Sequence, residues 1–189
     1  MTGKREGRKK RCRGRRRAGM ADIFAVATKK ISKEISEHVD AEIGVTNEIL
    51  DEFAKKLCPR LYRGLFNLTD LKNLNICAPF TIILNVGFHF VCVHTRGKRL
   101  LYVDSYGLRC RNKVVCKFLS GFKIPIVFNK VRLQSPKSKH CGMYALLFAA
   151  YLDFPKKPFK LKFHTRAAGK KNDELCMVYL DKLVSHMNV

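Results

Sequence analysis

The segment CGMYALLFAAYL, residues 141–152, constrains the fold of this chain more than any other. Almost every position in it is apolar, so a helix formed here has no polar face to turn towards solvent. Such a helix is buried on every side by the rest of the molecule. The chain therefore folds around a substantial core, and disorder over its whole length is excluded.

Length and composition agree with one globular domain. Of the 189 residues, 47% are hydrophobic and 13 are Phe, which is ample for the core of a domain of roughly 150 residues. No apolar run approaches the roughly 18 to 20 residues that span a membrane. The basic N-terminus is not followed by the apolar stretch of a signal peptide. We therefore expect an intracellular protein that is not secreted and has no membrane partner.

The cysteines do not indicate a disulfide framework. There are eight, none of them in a C-x-x-C pair, and a chain of this length does not need such a framework. The closely spaced sets, Cys92 with His94 and Cys110 with Cys116, match no common zinc-finger spacing. We expect mostly buried thiols and predict no metal site.

Helical spacing of apolar residues occurs in both terminal regions of the chain. It predicts a first helix from Ala21 to about Val39. Thr46 or Asn47 caps a second helix, which Pro59 closes, and a loop region follows it. Asp173 is the predicted cap of a last amphipathic helix.

The middle of the chain changes to the composition of strands. Its apolar runs are rich in β-branched and aromatic residues, and the predicted strand segments are 80–84, 88–94, 100–104, 124–128 and 131–133. Pro125 marks an edge or an irregular start. The predicted fold class is α+β, with a mixed, mostly antiparallel central sheet flanked by helices from both ends of the chain.

The charge of the chain is divided between a tail and a body. The formal net charge is +23, of which residues 1–19 carry +9 and the remaining 170 residues +14. The tail cannot bury enough apolar surface to offset the entropy of ordering, so we predict a disordered basic tail at 1–19 and a single domain at 20–189. The tail is interpreted as a polyanion-binding arm or a nuclear localisation signal, and alternatively as a solvated extension.

A body with a twofold excess of basic residues favours nucleic acid as a partner. Lysine and arginine surfaces bind phosphate backbones by releasing counterions, which requires no sequence-specific readout. The predicted DNA contacts are Arg15, Arg16, Arg17, Lys156, Lys157, Lys160 and Lys162.

A predicted hairpin pairs a histidine with an acid. If Arg96 and Gly97 form its two-residue turn, His89 lies directly opposite Asp104. Cross-strand partners have Cβ atoms about 4.5 to 5.5 Å apart, within reach of a hydrogen bond between carboxylate and imidazole. That bond would orient the imidazole and stabilise its protonated form, as the third group of a catalytic triad does.

Cys141 stands at the start of the buried helix. The partial positive charge of a helix N-terminus lowers the pKa of a thiol, and Lys139 and His140 add positive potential. Gly142 is predicted to let a substrate backbone come close. Gln134, at the end of a predicted strand, has an amide that could donate to an oxyanion together with the backbone N–H of Cys141.

Each of these residues alone is more often scaffold than catalyst. The order histidine, acid, glutamine and Cys-Gly, each in a fitting structural context, is much more specific. The segments GFHFVCVH, LLYVDSYG and LQSPKSKHCGMYALLF resemble the adenovirus-type maturation proteases, the adenain family, and more widely the SUMO-protease-like cysteine peptidases. The resemblance is strong from about Thr81 to Leu152, and the spacing of seven between Gln134 and Cys141 fits the adenain family better.

The resemblance implies a papain-like, adenain-like cysteine protease fold with its nucleophile at the N-terminus of a buried helix. It makes Cys141 the nucleophile, His89 the general base, Asp104 its orienting acid and Gln134 an oxyanion-hole donor. Two departures stand out: Phe90 follows the histidine where the family usually has Trp, and the acid is Asp where adenovirus enzymes have Glu.

The resemblance also implies a biological setting. The family cleaves viral structural and core precursor proteins during virion assembly, in the virion and the host nucleus, and DNA stimulates its adenovirus members. We therefore expect a monomer that has protein substrates, binds DNA without sequence specificity and has DNA as an activator. No covalently bound cofactor is expected, and a peptide cofactor stays open.

Two other functions compete with this interpretation. The first is a protease for ubiquitin-like modifiers, which the spacing before Cys141 and the basic surface disfavour. The second is a basic DNA-packaging or core protein without enzymatic activity, in which Cys141 is unreactive and the four polar residues are scaffold.

Overall fold

A computed structural model describes residues 44–164 and 169–187. The predicted tail at 1–19, with the predicted DNA contacts Arg15, Arg16 and Arg17, and the predicted helix from Ala21 to about Val39 lie outside the described residues.

Helices and strands alternate irregularly along the described part of the chain. The helices are α1 (Asn47–Leu57), α2 (Lys113–Ser120), α3 (Cys141–Asp153) and α4 (Lys170–Met187), with a short 3-10 helix at Asp70–Lys72. The strands are β1 (Tyr62–Asn67), β2 (Phe80–Asn85), β3 (Phe90–Arg96), β4 (Arg99–Asp104) and β5 (Ile126–Phe128). None of the helices in the described residues is long and apolar enough to cross a membrane.

The five strands form one mixed sheet in sequence order, β1-β2-β3-β4-β5. The central pairs, β2 with β3 and β3 with β4, are antiparallel, and the edge pairs, β1 with β2 and β4 with β5, are parallel. The prediction of a mostly antiparallel sheet therefore holds for the centre and not for the edges. The coarser prediction, a mixed sheet flanked by helices, is confirmed.

Helix α3 lies at the centre of the larger core, as its apolar sequence predicts. Nine of its thirteen residues are buried, and it packs against α1, α4 and the strands β2, β3 and β4. The other face of the sheet is covered by α2, which buries Val115 and Leu119. Helices thus cover both faces, and α3 begins at the edge of the sheet where two strands end.

The predicted register of the β3–β4 hairpin was wrong. Gly97, at φ +69°, and Lys98 form the turn, Arg96 pairs with Arg99, and Val91 lies opposite Asp104. His89 precedes β3 and has no partner in that ladder.

Four other predictions of local structure need correction. Residues 131–133 form no strand, because Ser105 O accepts the N–H groups of Leu133 and Gln134 and holds this segment to a loop. Strand β1 lies in the predicted loop region after Pro59, where an irregular register near Gly64 obscures its period. Helix α2 was not predicted. Helix α4 begins three residues before Asp173, whose buried carboxylate instead accepts a hydrogen bond from Tyr144 Oη at 3.1 Å.

Candidate active site

Three elements bring His89, Asp104 and Cys141 together. The turn between β2 and β3 presents His89, and it is closed by a 2.9 Å hydrogen bond from Val86 N–H to His89 O, with Gly87 at φ +100°. Asp104 is the last residue of β4, and Cys141 is the first residue of α3. Three separate parts of the sequence therefore meet where a hairpin turn, a strand end and a helix start converge.

The histidine and the acid are in direct contact. His89 Nε2 lies 3.0 Å from Asp104 Oδ1, and the two side chains are 19% and 6% exposed. The same oxygen accepts the backbone N–H of Tyr106 at 2.7 Å. With Nε2 held in this way, Nδ1 is the ring nitrogen left to face Cys141.

Asn129 fixes the backbone of the acid. Its Nδ2 donates to Asp104 O at 2.6 Å, and its Oδ1 accepts Asp104 N–H at 2.8 Å. Nothing in the sequence around Asn129 distinguishes it from a loop asparagine, so its role is visible only in three dimensions.

Cys141 and His89 stabilise opposite charges on each other. Burial by itself raises the pKa of the Cys141 thiol, but hydrogen bonds to His89 and to the backbone N–H groups of Phe90 and Gly142 outweigh it, so this pKa is lowered. Burial by itself lowers the pKa of His89, but hydrogen bonds to Asp104 and Cys141 raise it to about 9. The contacts therefore stabilise the thiolate of Cys141 and the imidazolium of His89 relative to their neutral forms.

Tyr106 connects the parts of the site. Its ring stacks on His89 with centroids 4.9 Å apart and planes 27° apart, and Arg132 lies over it at 5.7 Å. Its hydroxyl accepts a hydrogen bond from Gln134 Nε2 at 3.4 Å. The sequence motif LLYVDSYG contains this tyrosine, but residue spacing alone gave no reason to single it out.

Gln134 is placed differently from the prediction of an open oxyanion donor. It is fully buried, its Oε1 accepts from Ser105 Oγ at 2.6 Å, and its Nε2 donates to Ser138 O at 2.6 Å. Together with the bond to Tyr106, these contacts occupy both amide hydrogens. Gln134 therefore holds the loop that leads to Cys141. The amides in the first turn of α3, which have no intrahelical acceptor, are the oxyanion donors that the geometry offers.

The absent side chain of Gly142 is explained by packing. A Cβ at this position would collide with Val45 Cγ1 and lie 3.4 Å from atoms of Leu50 and Phe90. Glycine therefore lets the start of α3 lie close to Val45 and to α1. The approach of a substrate backbone to Gly142 stays a prediction.

The other histidines and cysteines of this region have structural surroundings. His94 is buried, with Nδ1 2.8 Å from Thr81 Oγ1, and His140 Nδ1 lies 2.8 Å from Ser138 Oγ. Burial raises the pKa of the Cys92 thiol. In the described part of the chain, no three or more His, Cys, Asp or Glu side chains are grouped to hold a metal ion.

A cleft of about 680 Å³ opens at Cys141. It runs between the β2–β3 turn, the start of α1, the segment 67–69 and the segment 136–139. Phe88, fully exposed, stands at its rim beside the histidine. Two exposed lysines, Lys137 and Lys139, also line it, and no lining residue is acidic.

The four lysines predicted to contact DNA follow the C-terminus of α3, at the opposite end of this helix from Cys141. All four of Lys156, Lys157, Lys160 and Lys162 are exposed. Lys157 Nζ donates to Tyr151 O at 2.8 Å and to Phe154 O at 3.3 Å, so it caps the C-terminus of α3.

Comparison with known proteins adds no relative to this picture. No family model matches the sequence, and no curated protein matches it with significant similarity. The function therefore has to be argued from the site itself.

Proposed function

We propose that this protein is a cysteine endopeptidase with Cys141 as its nucleophile. The observation that carries the proposal is the chain of contacts from Cys141 through His89 to the buried carboxylate of Asp104. A thiol, an imidazole and an orienting acid are the groups that covalent hydrolysis of an amide requires. A cleft lies beside the thiol, as the substrate of such an enzyme needs.

In the proposed reaction, the Cys141 thiolate attacks the scissile carbonyl carbon and forms a tetrahedral oxyanion. Amides at the start of α3 stabilise that oxyanion. The imidazolium of His89 then gives its proton to the leaving amine, the C–N bond breaks, and a thioester remains. His89 next takes a proton from water, the resulting hydroxide attacks the thioester, and the C–S bond breaks to release the acid product and restore the thiolate–imidazolium pair.

Asp104 and Tyr106 act in this scheme by holding the imidazole. The carboxylate of Asp104 stabilises the imidazolium, and the stacked ring of Tyr106 restricts rotation of the imidazole away from Cys141. Tyr106 thereby covers one face of the imidazole in a chain that has Phe90 after the histidine, where the adenain family usually has Trp. The proposed fold, papain-like and of the adenain type, is supported by this site at the start of a buried helix on a sheet.

The finer assignment follows from the sequence resemblance. It is the cleavage of viral, or virus-like element, structural and core precursors during virion assembly, in the virion and the host nucleus, by a DNA-stimulated monomer. The charge of +14 outside residues 1–19 supports an encounter with DNA. The exposed lysines after α3 supply part of that charge. One of them, Lys157, also caps the C-terminus of α3.

The test is active-site labelling of the full chain with iodoacetamide near pH 6, located by peptide mass mapping, followed by cleavage assays on a peptide library. We expect selective modification of Cys141 that His89→Ala suppresses. Cleavage is expected to disappear in Cys141→Ser and to persist in the matched control Cys77→Ser, which changes an exposed thiol elsewhere. Equal labelling of Cys77 and Cys141, with no cleavage, would contradict the proposal.

The basic DNA-binding protein is the second candidate, because the exposed lysines require no active cysteine. It predicts DNA binding that is identical in wild type and Cys141→Ser, together with uniform thiol labelling. A protease for ubiquitin-like modifiers would instead cleave a reporter that ends in diglycine in preference to the peptide library.

A further inference from the structure

Two cysteines outside the active site lie side by side. Cys110 is in the segment between β4 and α2, and Cys116 is in the first turn of α2. The Cys116 thiol donates to Cys110 O at 3.4 Å, and the Cys110 thiol donates to Asn112 O at 3.7 Å. Burial and the neighbouring Cys116 thiol raise the pKa of the Cys110 thiol.

A capped turn holds this pair in place. Asn112 is the N-cap of α2, and its side-chain oxygen accepts the N–H groups of Val114 and Val115 at 2.9 and 3.3 Å. Its carbonyl accepts Cys116 N–H at 2.9 Å. Because the cap fixes the first turn of α2 against the preceding residues, the two cysteines lie side by side as a consequence of the fold.

Exposure separates this pair from the other neighbouring thiols. Cys116 is exposed and Cys110 is half-buried, so a dissolved oxidant reaches them. Cys58 and Cys92 also lie near each other, but both are completely buried. Only exposed, ionisable thiols react readily with peroxides or disulfides.

We propose that Cys110 and Cys116 form a redox-modification site, at which hydrogen peroxide or glutathione disulfide converts the two thiols into an intrachain disulfide. With peroxide, the Cys116 thiolate attacks one peroxide oxygen, which gives a sulfenic acid and hydroxide. The Cys110 thiol then attacks that sulfur, the S–S bond forms, and the hydroxyl leaves as water. The two thiols lose two electrons and two protons in total, and one peroxide becomes two waters.

With glutathione disulfide the same bond forms by two exchanges. Cys116 first forms a mixed disulfide and releases one glutathione thiol, and Cys110 then displaces the second. The product ties the segment after Asp104 and Tyr106 to the start of α2, so the cross-link lies close in sequence to the active-site acid.

The test uses the full chain carrying Cys141→Ser, which removes the reactive nucleophile and makes the result independent of the proposed protease activity. The protein is treated with hydrogen peroxide or with glutathione disulfide, and remaining thiols are alkylated after unfolding. Trypsin separates the two cysteines, since cleavage sites at Arg111 and Lys113 lie between them. We expect the peptides Cys110–Arg111 and Val114–Lys117 to be recovered joined, and to separate after dithiothreitol.

The matched variants are Cys110→Ser and Cys116→Ser, each of which is expected to leave the other cysteine alkylated or joined to glutathione. In the Cys141→Ser protein, the cross-link is expected to form at oxidant concentrations that leave Cys77 as a free thiol. Recovery of Cys110 and Cys116 as separate alkylated thiols, as stable glutathione adducts, or in cross-links between two chains would overturn the proposal.

Discussion

Replacing Asp104 by Asn tests the proposed ion pair most directly, because it removes a charge with little change of shape. The Asn Oδ1 can still accept hydrogen bonds from the imidazole and from the backbone N–H of Tyr106, as the Asp Oδ1 does. What disappears is the negative charge 3.0 Å from the ring of His89. The histidine is therefore expected to lose its proton at lower pH than in the wild type.

The size of this effect follows from the pKa of His89. The rise from an ordinary 6.5 to about 9 corresponds to roughly 3 kcal/mol in favour of the imidazolium. Burial by itself lowers this pKa, so the rise is a net effect that Asp104 and Cys141 produce together. If the charge of Asp104 accounts for about half of the net rise, its removal costs roughly 1.5 kcal/mol and lowers the pKa by about one unit.

The measurement is an NMR titration of the protein labelled with ¹³C-histidine, with the resonance of His89 assigned from a His89→Gln variant. The wild-type imidazolium is expected to persist through neutral pH and to lose its proton as pH rises through about 9. In Asp104→Asn the midpoint is expected about one unit lower, so at pH 9 the protonated fraction falls from about one half to about one tenth. The matched control is Asp70→Asn, an exposed carboxylate distant in the sequence, which is expected to leave the titration unchanged.

The same variant is expected to lose roughly tenfold in kcat/KM on the alkaline side, where the leaving amine needs the proton of His89. A wild-type histidine that titrates near 6.5, or a midpoint that Asp104→Asn does not move, would refute the reasoning. Either result would mean that the hydrogen bond from His89 to Asp104 does not carry the charge assigned to it.

Three further predictions concern the surroundings of the site. Tyr106→Ala is expected to lower kcat/KM about two- to tenfold, because it removes the tyrosine ring that stacks on His89. Tyr106→Phe loses only the hydrogen bond between the hydroxyl and Gln134 and is expected to lower kcat/KM less; equal losses in the two variants would contradict a role for stacking. Gly142→Ala is expected to destabilise the protein by about 1–3 kcal/mol in urea unfolding, because the new Cβ collides with Val45. An unchanged free energy of unfolding would show that Val45 can move away from α3 without cost. A peptide with Glu beside the scissile bond is expected to be cleaved about two- to fivefold faster than its Gln counterpart. The preference is expected to disappear in Lys139→Glu, where the new carboxylate offsets the charge of Lys137; a preference that this variant leaves intact would argue against an electropositive cleft.

The sequence predicted the elements whose pattern is uniform. Helix α3 is apolar on all sides and was predicted with nearly the observed bounds. Of the two residues predicted to cap α1, Thr46 or Asn47, the cap is Thr46, whose Oγ1 accepts Ile49 N–H. Strand β1 and helix α2 were missed for opposite reasons. In β1 an irregular register interrupts the alternation of side chains that predicts a strand. Helix α2 is only eight residues long, so the helical spacing of its apolar residues repeats too few times to be recognised.

Side-chain partnerships were harder to predict than elements. Gln134 lies on the segment that leads to Cys141, as the sequence predicts. Its amide nitrogen, however, donates to Ser138 and Tyr106, because the segment before α3 folds back as a loop. The clamp of Asn129 on the backbone of Asp104 joins residues 25 positions apart. A pattern confined to neighbouring positions contains no information on either contact.

The contact between His89 and Asp104 exists although the register that predicted it was wrong. In the predicted hairpin the two residues paired across β3 and β4, but the turn lies one residue further along and Asp104 pairs with Val91. His89 reaches the carboxylate because the β2–β3 turn, and not the ladder, places its ring beside the end of β4. The position of the base therefore depends on the turn at Gly87, whose positive φ of 100° a residue with a side chain adopts only with strain. A substitution at Gly87 is therefore expected to displace the imidazole of His89 more than one at Gly97, which lies in the turn of the β3–β4 hairpin, at the opposite end of β3.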